Sequence, residues 1–106
     1  MSKEFNECLQ RYQLPEFDAA WGAIHRGIEK ESLRVSKDGH ISLASHPQSL
    51  GSSLSNPFIT TDFSESLLEF ITPAYSDIDT CLSKMEDIHR FTMQNLENDE
   101  MLWVSS

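Results

Sequence analysis

Apolar residues recur at helical spacing near both ends of the chain. At the start, a short amphipathic helix is predicted over residues 3–13 and a second short helical stretch over 16–23. Towards the end, a long helix is predicted over residues 77–96, and Ser76 with Asp79 resembles a capping box at its beginning. The apolar face of this long helix is predicted to consist of Ile78, Cys81, Leu82, Met85, Ile88, Thr92 and Leu96.

The middle of the chain shows strand and turn patterns instead. Residues 25–35 are predicted to form a first strand, and a turn at 37–39 leads into a returning strand at 41–43, which together make a hairpin. The Ser- and Gly-rich residues 46–56 are expected to form a loop with one helical turn. A second strand is predicted over 58–72. Because no repeat or linker divides the sequence, we expect one α+β domain.

Both predicted strands carry carboxylates, which ordinary strands avoid. Glu29 and Glu31 are two positions apart in the first strand, so the strand period places them on one face, roughly 7 Å apart. In the second strand, Glu69 lies between apolar residues, and Asp62 lies upstream near an expected bend. Clustered carboxylates repel one another unless a cation compensates them, and Mg²⁺ accepts oxygen ligands and bridges them to phosphate. A metal–nucleotide site is therefore the first hypothesis.

A solvated acidic face is the competing interpretation. Antiparallel sheets often leave one side in water, so an acidic pair on one strand is more often plain surface than a binding site. Spacing alone leaves both interpretations open. Glu65, in the second acidic segment, is expected to be a solvent-facing acid. The histidines are scattered without the spacing of zinc ligands, so no zinc site is expected; they are His25, His40, His46 and His89.

Composition narrows the class of protein. The net charge of −9 argues against nucleic acid and anionic membranes as partners, because both select basic surfaces. No apolar run approaches the length of a membrane span, and the N-terminus lacks the basic and apolar regions of a signal peptide. Cys8 and Cys81 show no paired spacing, so reduced cysteines are the expectation. These features together indicate a cytoplasmic protein.

Several motifs, taken in order along the chain, resemble those of one enzyme family. Arg26-Gly-Ile-Glu-x-Glu-x-Leu-Arg-Val35 is followed by His46-Pro-x-x-Leu-Gly-Ser52 and by Ile59-Thr-Thr-Asp-Phe-x-Glu-x-Leu-Leu-Glu-Phe-Ile-Thr-Pro73. His89-Arg90 and Leu102-Trp103 continue the series. In order and spacing, these motifs resemble the N-terminal region of glutamate–cysteine ligase of the proteobacterial type, and the resemblance covers about residues 22–104.

The resemblance implies a fold, a reaction and a set of site residues. It implies a partial glutamine-synthetase-like antiparallel sheet with flanking helices, and an ATP-dependent ligation of glutamate to cysteine, the first step of glutathione synthesis. In that reaction ATP phosphorylates the γ-carboxylate of glutamate, and the amine of cysteine then attacks the acyl phosphate. By motif position Phe63 matches a residue of the cysteine pocket, and Mg²⁺, or Mn²⁺ in its place, would be held by Glu29, Glu31, Asp62 and Glu69.

Members of this family are several times longer than this chain. Residues 1–106 are therefore expected to be equivalent to the N-terminal part of such a ligase, to carry part of the Mg/ATP site and to be inactive alone. A catalytically inactive remnant and a small metal-binding or interaction module remain as alternatives. As partners we expect either a complementing C-terminal chain or self-association, the latter through the apolar strand around Leu67–Ile71 as an unpaired edge.

Overall fold

The computed structural model describes residues 1–104, and within that range the chain forms three α-helices and one sheet. Helix α1 spans Lys3–Tyr12, α2 spans Asp18–Gly22 after a 3₁₀ turn at Pro15–Phe17, and α3 spans Ile78–Gln94. The three helical segments predicted from apolar spacing are thus confirmed, with boundaries that differ by a few residues.

The sheet has four strands, β1 (Glu29–Val35), β2 (Ile59–Asp62), β3 (Ser64–Ile71) and β4 (Met101–Leu102). They lie in the order β2-β3-β1-β4, and every neighbouring pair is antiparallel. Helices and an antiparallel sheet segregate along the chain, which confirms the α+β class. The returning strand predicted at 41–43 is reduced to a single bridge to β1.

The core lies between α3 and one face of the sheet. Strand alternation places Leu68 and Phe70 of β3 on the same face, and both are fully buried there. They belong to a cluster of buried side chains made by Leu50, Ile59, Leu68, Phe70 and Ile88, against which Phe58, Met85 and Leu102 pack. Burial of such side chains contributes about 1.5–3 kcal/mol each, so this face anchors the domain and leaves the opposite face available.

Helix α3 begins at a different cap from the predicted one. The N-cap is Asp77 rather than Ser76, because Asp77 Oδ2 accepts hydrogen bonds from the backbone N–H of Thr80 at 2.7 Å and from its hydroxyl at 2.6 Å. These contacts hold the pKa of the Asp77 carboxyl below its ordinary value. The predicted apolar face is only partly buried. Its buried residues are Cys81, Ile88 and Thr92, whereas Ile78 and Leu82 are about half exposed.

The segment predicted as one bent strand, residues 58–72, is in fact a hairpin of two strands. β2 and β3 pair with each other, and the register shifts at their tip so that Asp62 pairs with Ser64 across Phe63. Asp62 Oδ1 accepts a hydrogen bond from the N–H of Phe63 at 2.9 Å, which supports the reversal without glycine or proline. The apolar alternation runs through the reversal, because both strands have the same period.

This hairpin also overturns the expected apolar edge. β3 lies between β2 and β1, so its segment Leu67–Ile71 is an interior strand and not an unpaired edge. β4 pairs with β1 only at Arg34 and Val35, and one further hydrogen bond runs from the Trp103 N–H to the carbonyl of Leu33. The first half of β1 therefore has no neighbour on its outer side among the residues that the structure describes.

The N-terminal helices form a separate small unit. Trp21 Nε1 donates a hydrogen bond to the carbonyl of Tyr12 at 2.8 Å, and the Tyr12 ring meets Trp21 and Phe17 edge to face. Neither α1 nor α2 contains a buried residue, so these helices contribute little to the core. No helix within residues 1–104 combines the length and the hydrophobicity that a transmembrane helix requires.

Candidate functional site

The predicted metal ligands lie on the face of the sheet that α3 leaves uncovered. Glu31 of β1 stands directly opposite Glu69 of β3, and Thr60 of β2 stands opposite Glu69 on its other side. Directly opposed residues share a face, as do residues two apart in one strand. Glu29, Glu31 and Glu69 therefore share one face across β1 and β3. Asp62, at the end of β2 beyond the regular pairing, is close enough for its charge to act on Glu69. These four carboxylates are called the acidic face.

These carboxylates influence one another electrostatically. Loss of hydration raises the pKa of the Glu69 carboxyl above its ordinary value of 4.5, and repulsion by Glu29, Asp62 and Glu31 raises it further. Among the ion pairs found in the described part of the chain, none involves a carboxylate of the acidic face. The cluster is therefore left with negative charge that the protein itself does not compensate.

The acidic face is not a closed metal cage as it stands. Within residues 1–104, no group of three or more His, Cys, Asp or Glu side chains could hold a metal ion in its present arrangement. Strand pairing brings Glu29, Glu31 and Glu69 to one face, with Asp62 nearby, without closing the four carboxylates round one point. Their donor chemistry nevertheless fits a hard cation such as Mg²⁺, which needs carboxylate oxygens and usually keeps several waters or phosphate oxygens as further ligands.

A pair of basic side chains, Lys30 and His89, lies on the opposite face of the sheet, beneath α3. Lys30 Nζ donates to Ser32 Oγ at 2.9 Å and contacts His89 Nε2 at 3.1 Å. Burial lowers the pKa of Lys30, while burial and then the nearby Lys30 charge lower the pKa of His89. Because strand alternation turns Lys30 away from Glu29 and Glu31, this ammonium does not neutralise the acidic face.

Phe63, the predicted cysteine-pocket residue, occupies the tip of the β2–β3 hairpin. Its side chain is 95% exposed, although an aromatic ring of this size is normally placed against other groups. The turn places it next to Asp62 in the chain, at one end of the acidic face. Phe63 is thus available to a ligand or to another part of a protein, and it contributes nothing to the core.

Sequence reasoning missed a network of polar contacts behind this tip. Arg34 is fully buried and donates to Glu100 Oε2 at 2.6 Å and to the carbonyls of Ala44 and Glu65 at 2.9 and 3.1 Å. Glu65 Oε1 in turn accepts from the backbone N–H of His46 at 2.8 Å. Glu65, expected to be only a solvent-facing acid, is exposed but hydrogen-bonded at both its backbone and its side chain. The one available signal was its place in the acidic segment.

We expect the Glu69 carboxyl to titrate above the ordinary glutamate range. Since its folded-state pKa is raised, this group favours folding most below the unfolded pKa near 4.5, and that contribution is lost as pH rises through the higher folded pKa. Carbon-13 NMR titration of the side-chain carboxyls would show it. Glu31→Gln should move the Glu69 midpoint towards 4.5, whereas Glu97→Gln should leave it in place; a Glu69 midpoint at or below 4.5 would contradict the repulsion.

The chain is similar in sequence to proteins of one known family. The sequence model of the glutamate–cysteine ligase family matches residues 9–106. Among curated proteins, the glutamate–cysteine ligase of Yersinia pseudotuberculosis is 55% identical over 83 residues, which is 78% of this chain and 16% of that protein. The glutamate–cysteine ligase of Shewanella pealeana is 45% identical over 104 residues, which is 98% of this chain and 20% of that protein.

Two solved structures agree with the sequence relatives. The Francisella tularensis glutamate–cysteine ligase, solved in complex with AMP, aligns with a TM-score of 0.72 and 42% identity over 74% of this chain and 16% of its own. A bifunctional glutathione synthetase from Pasteurella multocida aligns with a TM-score of 0.69 and 38% identity over 73% of this chain and 10% of its own. The fold is therefore a partial glutamine-synthetase-like antiparallel sheet with flanking helices, as predicted. This chain spans about a fifth or less of each of these four proteins.

Proposed function

Because the chain belongs to the glutamate–cysteine ligase family, we propose that it carries the N-terminal part of the Mg²⁺/ATP site of such a ligase. The reaction of that site is the ATP-dependent joining of the γ-carboxylate of glutamate to the amine of cysteine. Under this proposal, residues 1–106 are one domain equivalent to the N-terminal part of the longer relatives, and the other walls of the site come from a complementing C-terminal portion.

One observation carries the proposal, namely the register that sets Glu31 opposite Glu69. Like charges directly opposed on a sheet are destabilising, so the pairing of Glu31 with Glu69, with Glu29 and Asp62 nearby, lowers the stability of the metal-free fold. The arrangement is therefore not explained by a contribution to folding stability. A divalent cation bound between these carboxylates would replace their mutual repulsion with attraction to the cation. The Francisella tularensis relative was solved in complex with AMP, so the proposal of a nucleotide site is consistent with what a relative of this chain binds.

The four carboxylates and Phe63 would have separate roles. Glu29, Glu31, Asp62 and Glu69 would hold Mg²⁺, which when bound neutralises charge on the ATP phosphates and orients them for transfer to the γ-carboxylate. The acidic face would also repel an unaccompanied nucleotide, so that ATP enters together with metal. Phe63 would pack against the thiol end of cysteine, which behaves as a small hydrophobe, and so place the amine for attack on the acyl phosphate.

The isolated chain is expected to form no γ-glutamylcysteine from glutamate, cysteine, ATP and Mg²⁺. It spans 16–20% of the relatives, so most of the surfaces that position the substrates lie in parts of those proteins that it does not match. Mass-spectrometric detection of the dipeptide, compared with a no-protein control, measures this. Product that appears with the protein and disappears when Mg²⁺ is chelated would contradict the expectation.

A chimaera tests the proposed function directly. Residues 9–106 would replace the matching portion of the Yersinia pseudotuberculosis ligase, and we expect the chimaera to make γ-glutamylcysteine in a Mg²⁺-dependent reaction. Glu31→Gln should remove most of that activity, whereas Glu97→Gln, an exposed acid far along the chain, should not. A folded chimaera without activity would favour the inactive-remnant interpretation. Equal activity of both variants would refute the role of the acidic face.

A further inference from the structure

The tip of the β2–β3 hairpin is weakly fixed by its own strands. The regular ladder ends where Thr61 pairs with Leu68, and the register then shifts, so Asp62 is not held by continuous pairing. The local contacts at the tip are the bond from the N–H of Phe63 to Asp62 Oδ1 and a contact between the Ser64 and Ser66 hydroxyls. A metal ligand at this tip therefore depends on contacts from outside the hairpin.

Those contacts converge on Glu65. Its carbonyl accepts from the Arg34 guanidinium at 3.1 Å, which connects the hairpin to β1, the strand of the first acidic pair. Its carboxylate accepts from the His46 N–H at 2.8 Å, which connects the hairpin to the loop before a second 3₁₀ turn, Gln48–Leu50. The Arg34 side chain is itself fixed by Glu100 and the carbonyl of Ala44, so the guanidinium is a rigid attachment.

We infer that Glu65 is a positioning residue, held by Arg34 and His46, that sets the hairpin tip so that Asp62 joins the acidic face and Phe63 stays outside the core. This inference rests on the proposed function for its consequence in metal binding, but the placement of the tip is a property of the metal-free chain. In this inference Glu65 acts through Asp62: its carboxylate accepts the His46 N–H and serves to hold the tip rather than to bind the metal.

The side chain of Glu65 can be changed without disturbing the core, because the residue is exposed. Glu65→Ala removes the acceptor for the His46 N–H but keeps the carbonyl that faces Arg34. Glu65→Gln keeps an acceptor oxygen in the same place and removes the charge. A positioning role predicts that glutamine rescues and alanine does not, whereas a role as a metal ligand predicts that both variants fail. Glu97→Ala is the matched control, an exposed glutamate whose side chain makes no hydrogen bond in the described structure.

The first measurement uses nitrogen-15 relaxation without metal. In the unaltered chain, in Glu65→Gln and in Glu97→Ala, the amides of residues 62–64 should have order parameters near those of rigid backbone, about 0.85. In Glu65→Ala they should fall towards the flexible range, below about 0.6, while the amides of β1 stay unchanged. Unchanged order parameters in Glu65→Ala would overturn the inference, and so would equal loosening in Glu65→Gln.

The second measurement adds Mn²⁺ as the probe metal. Loss of a supporting contact to a ligand typically weakens metal affinity about 10- to 100-fold, so Glu65→Ala should raise the dissociation constant about tenfold and reduce line broadening at Asp62 and Phe63. Glu65→Gln should match the unaltered chain. If no form of the chain binds Mn²⁺, the proposed function fails while the relaxation result still decides the positioning role. If Mn²⁺ binds equally in all forms, the link from Glu65 to the ligand is refuted.

Discussion

Replacement of Arg34 by leucine is expected to lower the free energy of unfolding by about 3–5 kcal/mol, the usual cost of breaking a buried ion pair from one side. The change leaves the Glu100 carboxylate buried without its cation and removes the donor to the carbonyls of Ala44 and Glu65. For a domain of this size such a loss is a large part of the total stability. Urea denaturation followed by circular dichroism would measure it, with a marked decrease in the midpoint.

The chain supplies its own matched control for this prediction. Arg90 and Glu86 form an equally short ion pair at 2.5 Å, but their side chains are 59% and 68% exposed, whereas those of Arg34 and Glu100 are 0% and 3% exposed. Arg90→Leu should therefore change stability by less than about 1 kcal/mol. Adding Glu100→Leu to Arg34→Leu should recover part of the loss, because no unpaired charge remains. Similar midpoints for Arg34→Leu and Arg90→Leu would show that the buried network does not support the fold.

The elements predicted well are those whose signals are local. The helical spacing of apolar residues predicts α1 and α3 to within a few positions. Gly39, in the predicted turn at 37–39, adopts a positive φ of 83°, which glycine accommodates without strain. The hairpin at Phe63 was missed because its reversal lacks glycine and proline and because apolar alternation continues across it. Only pairing between distant residues distinguishes two strands of four and eight residues from one long bent strand.

The candidate site likewise combines features that local patterns predict with features that depend on long-range pairing. That Glu29 and Glu31 share a face follows from the strand period, but the position of Glu69 opposite Glu31 depends on the register of β1 with β3, which no local pattern encodes. The buried pair of Arg34 with Glu100 also could not be predicted from local patterns. A turn with two left-handed residues, Asn98 and Asp99, brings Glu100 inside, whereas the preceding residues 97–99 of the acidic segment are exposed.

Simultaneous replacement of Glu29 and Glu31 by glutamine is expected to have opposite effects on metal binding and on metal-free stability. In the unaltered chain, Mn²⁺ should bind with roughly millimolar affinity, as for sparsely liganded divalent sites, and should broaden most strongly the signals of Asp62, Glu69 and their neighbours. The double variant should lose this pattern because half of the ligands are gone. It should also be more stable without metal by about 0.5 kcal/mol, since the like charges that face Glu69 are removed at nearly constant shape.

The two effects together distinguish a metal site from a solvated acidic surface. A divalent ion that binds the folded state should raise the unfolding midpoint of the unaltered chain by mass action and should not raise that of the Glu29→Gln, Glu31→Gln variant. Glu4→Gln with Glu97→Gln removes the same amount of charge from exposed positions outside the acidic face, so it should keep both the broadening pattern and the stabilisation by metal. Uniform broadening of all surface acids, unchanged in the first double variant, would mean that the acidic face is solvated surface, because diffuse attraction depends on net charge and not on which two carboxylates are removed.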